Sequence, residues 1–112
     1  MRVLIIHLEK EADLQTAASL LIELGLFDTA ILDGEGVENV GVPQERIFSS
    51  FQNLFGQGSA YNRTLISPVP DLECVKTFLH LCENQGLDFK HPDTGWVLSF
   101  PCDFFVGPET AM

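Results

Sequence analysis

The chain has 112 residues, the usual length of one domain, and 46% of them are hydrophobic, which excludes an intrinsically disordered protein. Sixteen acidic residues against six basic ones give a net charge of −10, and this negative field excludes nucleic acid and anionic membrane surfaces as partners. The three cysteines form no CxxC pair, and no apolar run reaches the ~20 residues of a membrane span. We therefore predict a single domain over residues 1–112, located in the cytoplasm, with no direct membrane insertion.

The first part of the chain predicts a strand, a helix and a second strand. Residues 2–8 form an apolar run with two mostly hydrophobic faces, which favours a strand covered on both sides. Residues 11–25 carry apolar side chains at helical spacing, acids in the first turn and a glycine at the end. Residues 27–34 then predict a second strand, which runs into the glycine-rich turn Gly34-Glu35-Gly36.

The last part of the chain predicts a strand, a helix and a final strand. Residues 61–69 are typical of a strand, and Pro68 confines it to a sheet edge or marks its end. A helix follows over residues 72–85, with apolar side chains every three or four positions. Residues 94–107 predict the final strand, with a break at Pro101.

The order of these elements predicts an α+β fold. Right-handed crossovers in a β-α-β-β-α-β chain place both helices on one face of a four-stranded antiparallel sheet, which is the ferredoxin-like arrangement. The other face then needs a cover, because the first strand is apolar on both sides and the last strand places Trp96, Leu98 and Phe100 on one side and Val97 on the other. The simplest cover is another copy of the same chain, so we predict an oligomer.

The connection between the second and third predicted strands is unusually long and apolar. Over residues 41–62 the side chains Ile47, Phe48, Phe51, Leu54 and Phe55 recur at the spacing of one helical stripe, so we predict a partly helical insertion here. Two interpretations stay open. The helix packs on its own subunit or a neighbouring one, or residues 41–58 present Phe48, Phe51 and Phe55 as an anchor for a protein target.

Three stretches resemble a known family. The segment "EKEADLQTAASLLIELGLFDTAILDGEG" is similar to the first helix, second strand and loop entry of the PII signalling family, the trimeric nitrogen and carbon sensors. "RTLISPVPDLECVKTFLHLCENQG" looks like the family's third strand and second helix, and "TGWVLSF" like the strand that leaves its B-loop. The resemblance implies a homotrimer, with residues 37–60 in the position of the T-loop, the arm that contacts target proteins.

The resemblance also implies an effector site in the clefts between subunits. It places two segments of this chain there, the entry to the T-loop and the loop "KHPDTGW" at residues 90–96. The alternative is that both segments are ordinary surface turns. The implied effector-binding residues are Gly34, Glu35, Gly36, Lys90, His91, Thr94 and Gly95.

The sequence departs from the family where phosphates are bound. PII proteins hold ATP or ADP with basic side chains in the B-loop and after the last strand, but here only Lys90 and His91 offer a basic group in the first place, and "DFFVGPETAM" offers none in the second. A triphosphate is unfavourable in so acidic a chain without arginine forks. Backbone amides of glycine-rich turns can still cradle one phosphate, so a mononucleotide or an uncharged ligand stays open. The cofactor is not predicted beyond an adenine nucleotide as one candidate.

No enzymatic motif stands out, and we predict a protein that is not an enzyme. His7 alternates with apolar residues and favours a subunit interface, with a ligand or metal contact as the second interpretation. No metal site is predicted, because three or four ligands would have to converge. The alternatives to an effector-binding PII-like regulator are a ligand-free scaffold trimer of the same fold and a metal-tolerance protein of the CutA kind.

Overall fold

A computed structural model gives the architecture of the chain over residues 1–34 and 62–108. Four strands and two helices follow one another in the predicted order. They are β1 (Arg2–Leu8), α1 (Glu11–Glu23), β2 (Ala30–Asp33), β3 (Arg63–Val69), α2 (Leu72–Asn84) and β4 (Gly95–Pro101). The predicted insertion at about 37–60, including Phe48, Phe51 and Phe55, lies outside the described residues.

The four strands form one antiparallel sheet in the order β2-β3-β1-β4. This order, with both helices on one face, confirms the predicted ferredoxin-like α+β fold. The register places Asp33, Arg63, Leu8 and Gly95 side by side in one row across the sheet. We call the end of the sheet at this row the site end.

The hydrophobic core lies between the helices and one face of the sheet. Alternate residues of the central strand β1 point into it, because successive side chains of a strand face opposite sides. The helices contribute spaced apolar residues that meet this face. The buried set includes Leu4, Ile6, Leu8, Leu14, Ala17, Leu20, Leu21, Leu65, Val69, Val75, Phe78 and Cys82.

Local sequence signals fix both ends of α2. The Asp71 carboxylate accepts a hydrogen bond of 2.9 Å from the backbone N–H of Cys74, which satisfies one of the free donors at the helix start. Gly86 follows the helix with a φ of +84°, a left-handed conformation that glycine adopts without steric cost. The predicted helix over 72–85 is therefore confirmed to within one residue.

Three strands are shorter than the sequence predicts, and the third strand of the chain begins at Arg63 rather than at residue 61. The last one ends at Pro101, which pairs with Arg2 at the start of β1, rather than at residue 107. One further backbone bond of 3.0 Å joins the Cys102 N–H to the Met1 carbonyl, and the chain then leaves the sheet. The second strand begins at Ala30 rather than at residue 27.

Pro68 lies close to the end of β3, as the sequence allows. Strand β2 reaches only as far as Ile66 along β3, so Pro68 has β1 as its single strand neighbour. A proline is tolerated here because its missing N–H removes no bond to β2.

The second face of the sheet has no cover within the described residues of the protomer. We call it the open face, and among the residues that the structure describes His7 is the one titratable side chain on it. It consists of Val3, Ile5, His7, Ala30, Leu32, Thr64, Ile66, Pro68, Trp96, Leu98 and Phe100.

Of the three free cysteines, Cys82 is the buried one, and burial lowers the reactivity of its thiol. Desolvation in the core raises the pKa of the Cys82 thiol from its ordinary value of 9.0 to about 12, so at pH 8 its reactive thiolate is about a thousandfold rarer than in an unfolded chain. We expect iodoacetamide to modify native Cys82 last, and readily only in urea. Peptide mass spectrometry over time measures this order, and modification of native Cys82 at the unfolded rate would contradict its placement.

Candidate functional site

The two segments that the sequence assigns to an effector site both lie at the site end of the sheet. Gly34 directly follows β2, and the loop that carries Lys90, His91 and Thr94 leads directly into β4. The antiparallel register places the end of β2 and the start of β4 in the same row. The structure therefore places the described members of the predicted set at one height along the sheet. Glu35 and Gly36 lie outside the described residues.

Gly34 is held against the start of β3. Its backbone N–H donates a hydrogen bond of 2.9 Å to the carbonyl of Asn62, which extends the β2–β3 ladder by one step. A Cβ atom on residue 34 would lie 3.0 Å from the Asn62 side-chain oxygen, which is tighter than nearly all such contacts. One residue earlier, the Asp33 carboxylate forms an ion pair with the Arg63 guanidinium. These contacts fix both ends of the chain at the entry to the long segment.

The loop before β4 is organised by Asp88. Its carboxylate accepts a hydrogen bond of 2.9 Å from the backbone N–H of Lys90, and its carbonyl accepts one of 3.1 Å from the N–H of His91. The side chains of Lys90 and His91 are both exposed. The His91 Nδ1 also lies 3.1 Å from the carbonyl oxygen of Pro92. Both basic groups are thus available at the surface at this end of the sheet.

Thr94 and Gly95 join this loop to the central strand. Thr94 is buried, and its carbonyl accepts a hydrogen bond of 3.2 Å from the N–H of Glu9. Gly95 adopts a φ of +131°, and a Cβ atom there would lie 1.8 Å from the His7 carbonyl oxygen. Only glycine permits this approach of two backbones, so the glycine has a structural reason. Its predicted effector contact stays a prediction.

The two segments lie on opposite edges of the protomer. Strands β2 and β4 are the two edge strands, and β3 and β1 separate them. Three strand spacings amount to roughly 14 Å. The described parts of one protomer therefore do not bring Gly34 and the loop before β4 into one pocket.

A polar pair interrupts the apolar open face near the site end. The rings of His7 and Trp96 stack with centroids 5.1 Å apart and planes at 17°. The His7 Nδ1 is hydrogen-bonded to the Thr64 hydroxyl across 3.3 Å. His7 therefore has partners on both neighbouring strands, as a satisfied histidine has, and its place in a subunit interface stays a prediction. Sequence reasoning missed this pairing because it depends on the strand register.

The charges near the site end are mixed. The basic residues on the described segments there are Lys10, Arg63 and Lys90, and Arg63 is already paired with Asp33. The acidic ones are Glu9, Asp33, Asp88 and Asp93. This balance does not favour a ligand with several negative charges. Within residues 1–34 and 62–108, no group of three or more His, Cys, Asp or Glu side chains is arranged to hold a metal ion.

The fold can now be compared with known proteins. No protein-family model matches the sequence, and no curated protein matches it either. Solved structures do match, and they show that the chain has the fold of the PII-like proteins. No helix in the part of the chain that the structure describes is long and apolar enough to cross a membrane.

Two of the similar structures are of CPII from Thiomonas intermedia K12. In one, CPII is bound to ADP, AMP and acetate; it is 19% identical, with a TM-score of 0.54 over 88% of this chain and 81% of the CPII chain. The other is described as a nitrogen regulatory PII-like protein bound to ADP, AMP and bicarbonate. It is 22% identical, with a TM-score of 0.54 over 96% of this chain and 93% of the other.

Proposed function

We propose that the chain is a PII-like regulatory protein that forms a homotrimer and binds a small effector between its protomers. The observation that carries this function is the placement of the two candidate segments, at the same end of the sheet but on opposite edges. Within residues 1–34 and 62–108, neither segment makes a pocket with the other inside one protomer. In a ring of protomers, the β2 edge of one subunit lies beside the β4 edge of the next, and the two segments form one cleft.

The open face supports the trimer. It presents apolar side chains from all four strands, including Ile5, Ile66 and Leu98, while the opposite face is covered by both helices. Burial of apolar surface is the main favourable term in association, at roughly 25 cal/mol per Å². Three copies packed through these faces remove the apolar surface from water, and the His7–Trp96 pair would lie inside the assembly.

The chemistry of the site favours an effector of low charge. Lys90 and His91 are the exposed basic groups of the loop before β4, and acidic side chains lie on the same segments. In the sequence, Gly34-Glu35-Gly36 is a glycine-rich turn, and such turns suit one phosphate or carboxylate group. CPII, which shares the fold, was solved with AMP as well as ADP. We therefore propose an adenine mononucleotide as the effector class, rather than ATP.

Thermal shift measurements with AMP, ADP and ATP at equal concentrations test this effector. A ligand that binds only the folded protein raises its melting temperature. We expect AMP to give a larger rise than ATP, because a triphosphate brings more negative charge to a chain with a net charge of −10. A Lys90→Ala variant should lose most of the AMP shift. A matched Lys76→Ala variant, at an exposed position of α2, should keep it.

The results of that screen separate the open interpretations. Equal or larger shifts with ATP would contradict the low-charge effector. A flat response to all three nucleotides by an intact trimer would favour the ligand-free scaffold of the same fold. We also propose that the protein is not an enzyme and that it signals to a protein target through residues 37–60. A pull-down that compares the wild type with Phe51→Ser and Phe55→Ser variants tests the signalling segment.

A further inference from the structure

An apolar groove lies beside the edge strand β2, on the helix side of the sheet and away from the site end. It has a volume of about 250 Å³, and all of its lining side chains but one are apolar. The lining includes Ile22, Leu26, Phe27, Thr29, Ile31 and Leu65. Phe27 and Ile22 are 72% and 59% exposed, so the groove opens to solvent in the protomer.

The single polar side chain of the groove is already satisfied. The Thr29 hydroxyl lies 2.8 Å from the Leu26 carbonyl and 2.9 Å from the Ser67 hydroxyl, and both are within hydrogen-bond distance. The groove therefore offers no charged side chain and no unused polar group to a ligand. Small-molecule pockets usually measure about 300–1,000 Å³ and present a few polar groups that orient the ligand. An apolar side chain fits this groove better than a nucleotide or a metabolite does.

A short apolar tail leaves the opposite edge of the sheet. After β4, the Phe104 and Val106 side chains are 82% and 79% exposed. The tail has local order, because Cys102 is hydrogen-bonded to Met1 through the backbone and its thiol donates to the Phe104 carbonyl across 3.2 Å. A Cβ atom on Gly107 would lie 2.7 Å from the Phe105 ring, so this glycine lets the chain turn closely over that ring.

The tail cannot place Phe104 in the groove of its own protomer. Phe104 is three residues beyond Pro101, and three extended residues span about 10 Å at most. The groove lies at the β2 edge, three strand spacings or roughly 14 Å from β4, and both helices cover the sheet between them. The described tail of the same protomer therefore does not fill the groove.

The tail and the groove lie towards the same end of the sheet, so a second copy could supply the tail. The groove surrounds the start of β2, and the tail follows the end of β4, so both lie towards the end of the sheet opposite the site end. Rotation about an axis along the strands keeps this end aligned in every protomer. The ring of the proposed function, on which this inference rests, therefore brings the tail of one protomer to the groove of the next.

We propose that Phe104 and its apolar neighbours at 105 and 106 insert into the groove beside β2 of the adjacent protomer. The contact runs head to tail, so three copies make three equivalent contacts and close the ring. It also lies at the opposite end of the interface from the candidate effector cleft. The tail contact and the effector cleft then lie at the two ends of the same interface between protomers.

Photo-crosslinking of the full chain tests this contact. A Phe104→p-benzoylphenylalanine variant, irradiated as a mixture of ¹⁵N-labelled and unlabelled chains, should yield crosslinks between different chains that map to residues 22–31. The same replacement at Leu72, an exposed leucine of α2, should give no such product. An Ile22→Glu change in the groove should reduce the crosslink at least tenfold, whereas Ser19→Glu on another side of α1 should leave it unchanged.

The mass in solution is measured on the same samples. Trimers that give crosslinks within one chain, or none to the groove, would overturn the docking of the tail while the proposed assembly stands. A monomeric mass would overturn both. Crosslinks between chains that survive Ile22→Glu at full yield would place the tail outside the groove and also count against it.

Discussion

Replacement of Gly95 by alanine is expected to destabilise the fold severely. The new Cβ atom would lie 1.8 Å from the His7 carbonyl oxygen, which belongs to the backbone of the central strand and cannot rotate away. The φ of +131° adds strain of about 1–3 kcal/mol for any residue with a side chain. A total loss above roughly 4 kcal/mol follows, against a typical domain stability of about 5–15 kcal/mol. Urea denaturation measures it.

Gly86 provides the matched control for that substitution. It also has a positive φ, +84°, but no atom lies within 4 Å of the position that a Cβ would take. Gly86→Ala should therefore cost only the left-handed backbone strain, about 1–2 kcal/mol. If the two alanine variants lose similar stability, the close approach between the loop before β4 and β1 is wrong.

The second large effect is expected on assembly. Leu98 lies on the open face at the β4 edge, and its replacement by aspartate puts a carboxylate into a contact that we propose to be dry. An unpaired buried charge costs several kcal/mol, so the dissociation constant of the trimer should rise at least about a hundredfold. Analytical ultracentrifugation should show the mass falling from three protomers to one, with the helical circular dichroism retained.

Leu72 allows the same change on the other side of the molecule. Its exposure, 44%, is close to that of Leu98, 43%, but it lies on α2, away from the open face. Leu72→Asp should leave the mass unchanged. If Leu98→Asp also remains at the wild-type mass, then the open face is not the surface through which the copies associate.

Much of the fold could be predicted from alternation and spacing. The two-sided apolar pattern of β1 predicted both the core face and the open face. Successive side chains of a strand point to opposite faces, so odd and even positions separate the two. The helices were less certain in detail. In α2 the apolar side chains recur every three or four positions, but Leu72 in the first turn is exposed, while Phe78 is fully buried. Several helical phases fit such an apolar segment, and only packing against the sheet selects one.

The candidate site was predictable in its segments but not in its geometry. The resemblance pointed to Gly34 and to the loop at 90–95, and both lie at one end of the sheet. Their position on opposite edges depends on the strand order, which no local pattern encodes. The Asp33–Arg63 ion pair and the His7–Trp96 stack likewise depend on register. The close approach of Gly95 to the backbone of β1 shows why a glycine begins β4.

The stacked ring of Trp96 gives the protein a built-in optical reporter. It is the single tryptophan of the chain, and it stands on the open face next to an imidazole. Indole emission shifts to the blue as water leaves its surroundings. Emission colour against dilution therefore follows the dissociation of the proposed assembly without any label.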